Sequence, residues 1–216
     1  VSHYVRPGTP IDIEAADRRG ILVANAPDTN TEAVADLTVS MILVLLRGVV
    51  RSAMSARSGG WERIVGHELR GRTVGVLGTG RIGSAVASRL SAFGPTLLGY
   101  DVVRNEELTS RYNLSYVPLA ELIQRADVIT LHVPLLPQTR GLLGQEAFAN
   151  MKENVVLVNA ARAPLVDETA LERFLRTHPQ AAAGIDVYST PQATVAEIVA
   201  AARAGKLHRG EPDEAC

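Results

Sequence analysis

Residues 73–83 read TVGVLGTGRIG, an apolar β-forming run that ends in Gly78, Gly80 and Gly83. The GxGxxG spacing predicts a strand, a tight turn and the first turn of a helix in direct succession. Each glycine answers a steric demand: the turn itself, the approach of a backbone to a pyrophosphate, and close packing of helix on sheet. A helix that starts there offers unpaired N–H groups and the positive end of its dipole to phosphate oxygens.

The next strand candidate, TLLGYD at 96–101, ends in Asp101, 18 residues after Gly83. A carboxylate about 20 residues beyond the glycines can accept hydrogen bonds from the adenosine ribose hydroxyls, and it repels a 2′-phosphate. The expected cofactor is therefore NAD rather than NADP.

Farther on, VITLHV (128–133), VVLVNA (155–160) and AAAGIDVY (181–188) alternate with the helical patterns RIGSAVASRLSAF, LAELIQRA, EAFANM and DETALERFLRTH. Strands and helices of this length in alternation mean βαβ units. The expected fold is α/β, a doubly wound parallel sheet of five strands covered on both faces. Upstream, ILVAN at 21–25 is a further strand candidate, and Asp12 suits the N-cap of a helix in IDIEAADRR. Thr31 to about Ala56 reads as one long helix, with Val34, Leu37, Met41, Leu45 and Val49 on one stripe. Val39, Ile42, Leu43, Val44 and Leu46 widen that stripe almost all round, which suits a core helix or one buried between subunits. RSGGW at 57–61 reads as a loop or hinge.

The 216 residues carry 22 Lys plus Arg against 23 Asp plus Glu, a net charge of −1 with no long run of one sign. That balance argues against nucleic acid or an acidic membrane as the main partner. Cys216 is the only cysteine, so a reducing, cytoplasmic setting is expected. The apolar run MILVLL is too short to span a bilayer, and VSHYVRPGTP shows no signal-peptide pattern. No metal site is expected.

Together with GTGRIG, the ordered stretches TLHVPLLPQTRGLLG (130–144), VNAARAPLVDETAL (158–171) and GIDVY (184–188) resemble the D-isomer-specific 2-hydroxyacid dehydrogenases. The resemblance implies an oxidoreductase that exchanges hydride between NAD(H) and a small 2-oxo or 2-hydroxy acid. It implies a Rossmann-like NAD domain over 61–190 and a remnant of a flavodoxin-like substrate domain over 1–30. Between them, 31–60 would hold an interface helix and hinge, with a homodimer through helix 31–56; the Ala-rich stretch 191–216 reads from its own composition as a helical tail, a departure from the family pattern. By the same resemblance, Arg81 and Ile82 lie against the pyrophosphate, and Val133, Pro134 and Thr139 line the cofactor. Ala160 and Ala161 back the nicotinamide, Asp186 bonds its carboxamide, and Arg162 is the substrate arginine. Chemistry supports that last role, since a guanidinium can fork onto the adjacent carboxylate and carbonyl of a 2-oxo acid while polarising the carbonyl.

The family pattern also has a Glu five residues after Asp186 and a later His, the tuning carboxylate and the acid respectively. Pro191 stands at the first position, and Thr190–Gln192 supplies neither group. His132 reads as a wall residue beside the cofactor; His3 lies near the expected substrate loop, His67 precedes the nucleotide domain, His178 ends a helix, and His208 reads as part of a solvated tail that could swing in, so none clearly supplies the acid. Pro7 and Pro10 remove N–H donors where the family has a carboxylate-binding loop. The pattern therefore looks truncated at the N-terminus and lacks the Glu/His pair. Three readings stay open: a dehydrogenase, an NAD(H)-binding regulatory or dimerising module without turnover, and a decayed or truncated gene product.

Overall fold

The computed structural model describes residues 3–4, 12–24 and 28–188. In chain order its first elements are β1 (His3–Tyr4), α1 (Ile13–Arg18), β2 (Val23–Ala24), α2 (Thr31–Arg47) and α3 (Val49–Arg57). The sheet domain follows with β3 (Thr73–Leu77), α4 (Arg81–Ser91), β4 (Thr96–Tyr100), α5 (Glu106–Tyr112) and β5 (Ser115–Tyr116). Its second half holds α6 (Leu119–Arg125), β6 (Val128–Leu131), α7 (Gln145–Ala149), β7 (Val156–Asn159), α8 (Glu168–Thr177) and β8 (Ala182–Ile185).

The six strands β3 to β8 form one sheet in the order β5-β4-β3-β6-β7-β8, every pair parallel. This is the doubly wound order, with its reversal between β3 and β6. Strands β6 and β7 are buried along their whole length, as parallel strands covered on both faces must be. Successive side chains alternate between two cores. Val74, Val76, Val128, Val156 and Val158 face a cluster that includes Ile42 of α2 and Val86 and Leu90 of α4. Leu77, Ile129, Leu131 and Leu157 face the opposite cluster, with Leu122 of α6, Phe148 of α7 and Leu171 and Phe174 of α8. A period of two in the strands thus serves two helical layers.

The sheet has one strand more than the five expected. Strand β5 is only two residues long, so neither hydrophobic alternation nor β-branching could announce it, but it pairs Ser115 and Tyr116 with Leu98 and Gly99. The single helix expected from Thr31 to about Ala56 is also corrected. Gly48 adopts φ 62°, ends α2 with its N–H bonded to the Leu45 and Val44 carbonyls, and turns the chain by 66° into α3. The αL conformation closes the helix through that one N–H, which a stripe of apolar residues does not reveal.

Helix α2 lies against α4, β7 and β8 and buries Ala35, Thr38, Ile42, Leu45 and Leu46. Its other sides are half-covered or open, as at Leu37. Arg89 of α4 fastens the pair by bonding Asp36 at 2.7 Å and Glu32 at 2.5 Å. Strands β1 and β2 form a separate parallel pair, and Asp12 caps α1 by accepting the Ala15 N–H at 2.8 Å. Among the described residues, no single helix is long and apolar enough to cross a membrane.

Candidate active site at the carboxyl edge of the sheet

Parallel pairing places five strand ends in register. Tyr100 pairs with Leu77, Leu77 with Leu131, Leu131 with Asn159, and Asn159 with Ile185. The residues that follow each, Asp101, Gly78, His132, Ala160 and Asp186, therefore stand in a row along the carboxyl edge. At about 4.8 Å per strand the row extends roughly 19 Å. Gly78 and His132 occupy the point where strand order reverses, the place where open α/β sheets bind ligands.

The glycine loop is built by close contact. Gly78 has φ 91°, and a Cβ there would lie 2.6 Å from the His132 carbonyl carbon and the Val133 nitrogen. A Cβ on Gly83 would meet the Gly78 carbonyl oxygen at 1.9 Å, so the first turn of α4 can rest on the loop only as glycine. Gly80 is different: nothing lies within 4 Å of a Cβ built on it, so its face is open at the N-terminus of α4. Two glycines that pack and one that leaves room make a cradle that fits a pyrophosphate.

Asp101 turns into this loop. Its Oδ2 accepts the Thr79 N–H at 2.6 Å and the Thr79 hydroxyl at 3.2 Å, and its Oδ1 accepts the Val103 N–H at 3.3 Å. Arg81 is exposed and its Nε lies 2.9 Å from Asp28, an ion pair that ties the start of α4 to the segment ahead of α2. Ile82 is half-buried against the α2/α4 core, and Val133 is buried in the core on the other face. Thr139 spends its hydroxyl inside the loop that Pro134 opens, donating to the Pro134 carbonyl at 2.6 Å and accepting the Leu136 N–H at 2.8 Å. It shapes that loop rather than presenting a free hydroxyl.

At the carboxyl end of β7, Asn159 is buried, at 1% exposure. Its amide accepts the Ala161 N–H at 3.1 Å and donates to the Arg162 carbonyl at 3.0 Å. Sequence reasoning missed this residue, although a buried amide at a strand tip must be satisfied and so marks a turn held from inside. The turn sets Ala160 in the core and leaves Ala161 and Arg162 half-buried, with Arg162 Nη1 donating to the Ala161 carbonyl at 2.8 Å. Arg162 is extended and leads into a 3₁₀ turn at Ala163–Leu165. Asp186 is exposed at the end of β8, its N–H bonded to the Asn159 carbonyl at 3.0 Å. The structure thus brings Asp101, the glycine loop, Ala160, Arg162 and Asp186 to one edge.

His132 stands in the same row, but burial pushes its pKa down to about 4, and its Nε2 lies 2.9 Å from the Thr130 hydroxyl. It is neutral near pH 7, which suits a wall. His178 ends α8 with its ring stacked 4.2 Å from that of Phe174, on the helix α7/α8 side. Pro191, Gln192, His208, Pro7 and Pro10 lie outside the described residues.

Fold and cradle together define a dinucleotide-binding domain of the Rossmann type. Residues 39–203 match the family described as D-isomer specific 2-hydroxyacid dehydrogenase, NAD binding domain, and the chain belongs to that family. Its cofactor is NAD. The chain is 44% identical over 181 residues to the D-3-phosphoglycerate dehydrogenase of Homo sapiens, covering 83% of this chain and 34% of that protein. It is 37% identical over 194 residues to a glyoxylate reductase of Korarchaeum cryptofilum, covering 87% and 58%. Among solved structures, D-lactate dehydrogenase from Aquifex aeolicus complexed with NAD and lactic acid superposes with a TM-score of 0.82 at 33% identity, covering 91% of this chain and 64% of that one. The chain thus spans about a third of the phosphoglycerate dehydrogenases it matches.

Proposed function

We propose that this chain works as a D-2-hydroxyacid dehydrogenase, exchanging hydride between NAD(H) and a small 2-oxo or 2-hydroxy acid. The observation that carries the proposal is the row along the sheet edge, with Asp101 at one end, the glycine cradle next to it, and Ala160–Arg162 and Asp186 toward the other. One extended dinucleotide fits that order: ribose on Asp101, pyrophosphate on Gly80 with Arg81 and Ile82 beside it, nicotinamide along Val133, Pro134, Ala160 and Ala161. Asp186 then faces the carboxamide. When bound, NADH supplies the hydride for the carbonyl carbon. Arg162 holds the substrate carboxylate and polarises the carbonyl oxygen, lowering the cost of the charge that develops there.

A NADH oxidation assay with glyoxylate, hydroxypyruvate and pyruvate tests this directly. Turnover with at least one acid is expected, and Arg162→Lys should raise KM and lower kcat together, because an ammonium cannot fork. Binding of NADH without turnover of any acid would favour the second reading, a cofactor-binding module. That reading draws support from His132, whose low pKa makes it a poor proton donor at neutral pH. A homodimer through the α2/α3 region belongs to the same proposal. It is supported by the exposed Leu37, Val49, Met54, Trp61 and Val65, and the mass in solution tests it.

A further inference from the structure

Thr79, the residue between the first two glycines of the loop, is bonded at every polar atom. Its N–H donates to Asp101 Oδ2 at 2.6 Å, its carbonyl accepts the Ser84 hydroxyl at 2.7 Å, and its Oγ1 lies 3.2 Å from Asp101 Oδ2 and 2.8 Å from the Tyr116 hydroxyl. Tyr116 in turn accepts the Asn105 N–H at 2.8 Å. The Asn105 side-chain amide donates to the Ser84 hydroxyl at 3.1 Å, closing the circuit. Thr79 is buried and Tyr116 half-buried, and the Arg104 guanidinium covers the tyrosine ring at 5.8 Å from its centroid.

Proton counting gives the circuit a direction. An ionised carboxylate only accepts, so the Thr79 hydroxyl proton points to Asp101. The Tyr116 proton then points to Thr79. Asp101 Oδ2 receives two donors from Thr79, whereas Oδ1 receives only the Val103 N–H, at 3.3 Å. A carboxylate oxygen has about two acceptor sites, so Oδ2 is filled and Oδ1 keeps one for a ligand hydroxyl. The donors that fix the group are neutral, so its full negative charge remains for discrimination against a phosphate.

We infer that Thr79 and Tyr116 are positioning residues for the dinucleotide, fixing the Asp101 carboxylate so that one oxygen locks into the glycine loop while the other faces the adenosine ribose. Selectivity for a 2′-hydroxyl over a 2′-phosphate then depends on strand β5, an element that touches no part of the glycine motif in sequence. The inference rests on the reading of Asp101 as the ribose-binding residue.

The test compares the full chain with its Tyr116→Phe, Thr79→Val and Thr79→Ser variants, titrated with NADH, NADPH and a reduced dinucleotide lacking the adenosine 2′-hydroxyl. Phe and Val should weaken NADH about fivefold, the scale of one hydrogen bond between neutral groups, and narrow the preference over NADPH. The 2′-deoxy dinucleotide should change less than about twofold in the same variants, because the bond that Asp101 makes to that hydroxyl is already gone. Thr79→Ser, which keeps the hydroxyl, should recover the discrimination. Equal losses for NADH and its 2′-deoxy form, or no loss for either, would overturn the positioning role while leaving the Asp101 reading intact. Parent protein that binds NADH and the 2′-deoxy form equally well would overturn the Asp101 reading itself.

Discussion

At the scale of single residues, the three loop glycines separate folding from binding. Gly83→Ala drives a Cβ to 1.9 Å from a backbone oxygen that cannot yield, so a loss of at least about 2 kcal/mol in unfolding free energy is expected. Gly80→Ala meets no protein atom within 4 Å, so its urea midpoint should stay near that of the parent. Its new methyl group stands in the cradle, and NADH affinity should fall by about tenfold or more, roughly 1.4 kcal/mol. Paired denaturation and NADH titrations on these two variants distinguish a packing glycine from a clearance glycine. His132 yields a pH prediction. Its folded pKa of about 4 lies below the ordinary 6.5, so the unfolded chain binds the proton more readily. Stability should therefore fall as pH drops from about 6.5 toward 4. His132→Asn should flatten that part of the urea-midpoint profile, and a parent profile with no slope there would contradict the burial of a neutral ring.

At the scale of elements, the bend between α2 and α3 depends on one position. Gly48 has φ 62°, and a Cβ there would come 2.6 Å from Ile64 Cγ2. Gly48→Ala should cost roughly 1–2 kcal/mol from left-handed backbone strain, read as a lower Tm. The elements also show how far the sequence could be read. The glycine spacing, the four longer strands after it and the Asp12 cap were legible because each is a local pattern with a local cause. The break at Gly48 was not, since a glycine inside an apolar stripe is compatible with continuous helix as well as with a stop. Strand β5 was too short to carry a period, and the Tyr116 hydroxyl reaches Thr79 only after the sheet has closed. Arg162 was visible as a charge at the end of an apolar strand. The buried Asn159 that holds its turn could be recognised only once burial was known.

At the scale of the molecule, the two edges of the sheet have separate duties. Opposite the carboxyl edge, Asp127 accepts the Thr73 N–H at 2.7 Å and pairs with Lys152 at 2.8 Å and Arg72 at 3.9 Å. Burial opposes its ionisation, but Lys152, the Thr73 N–H and Arg72 outweigh it and hold the pKa below the ordinary 3.8. Its contribution is therefore complete above that value and is lost as pH falls through the lowered pKa. Asp127→Asn should cost about 1–2 kcal/mol at pH 7 and progressively less in acid. NADH affinity should be unchanged, because the cofactor row lies at the far ends of the strands. A loss of affinity matching the loss of stability would show that the edges are coupled.

The strand order has a further consequence, for the rate at which the fold comes and goes. Strands β3, β4 and β5 are neighbours in both chain and sheet, and so are β6, β7 and β8, whereas the β3–β6 seam joins Val74 to Val128 across the whole first half. Contacts so distant in the chain form late, because loop-closure entropy must be met first. Helix α2 rests on α4 of one half and on β7 and β8 of the other, so it clasps the seam from one face. A dinucleotide lying along the edge row would clasp it from the end. Occupancy would then act chiefly on the unfolding rate, and the lifetime of the folded chain would become a reading of how much free dinucleotide surrounds it.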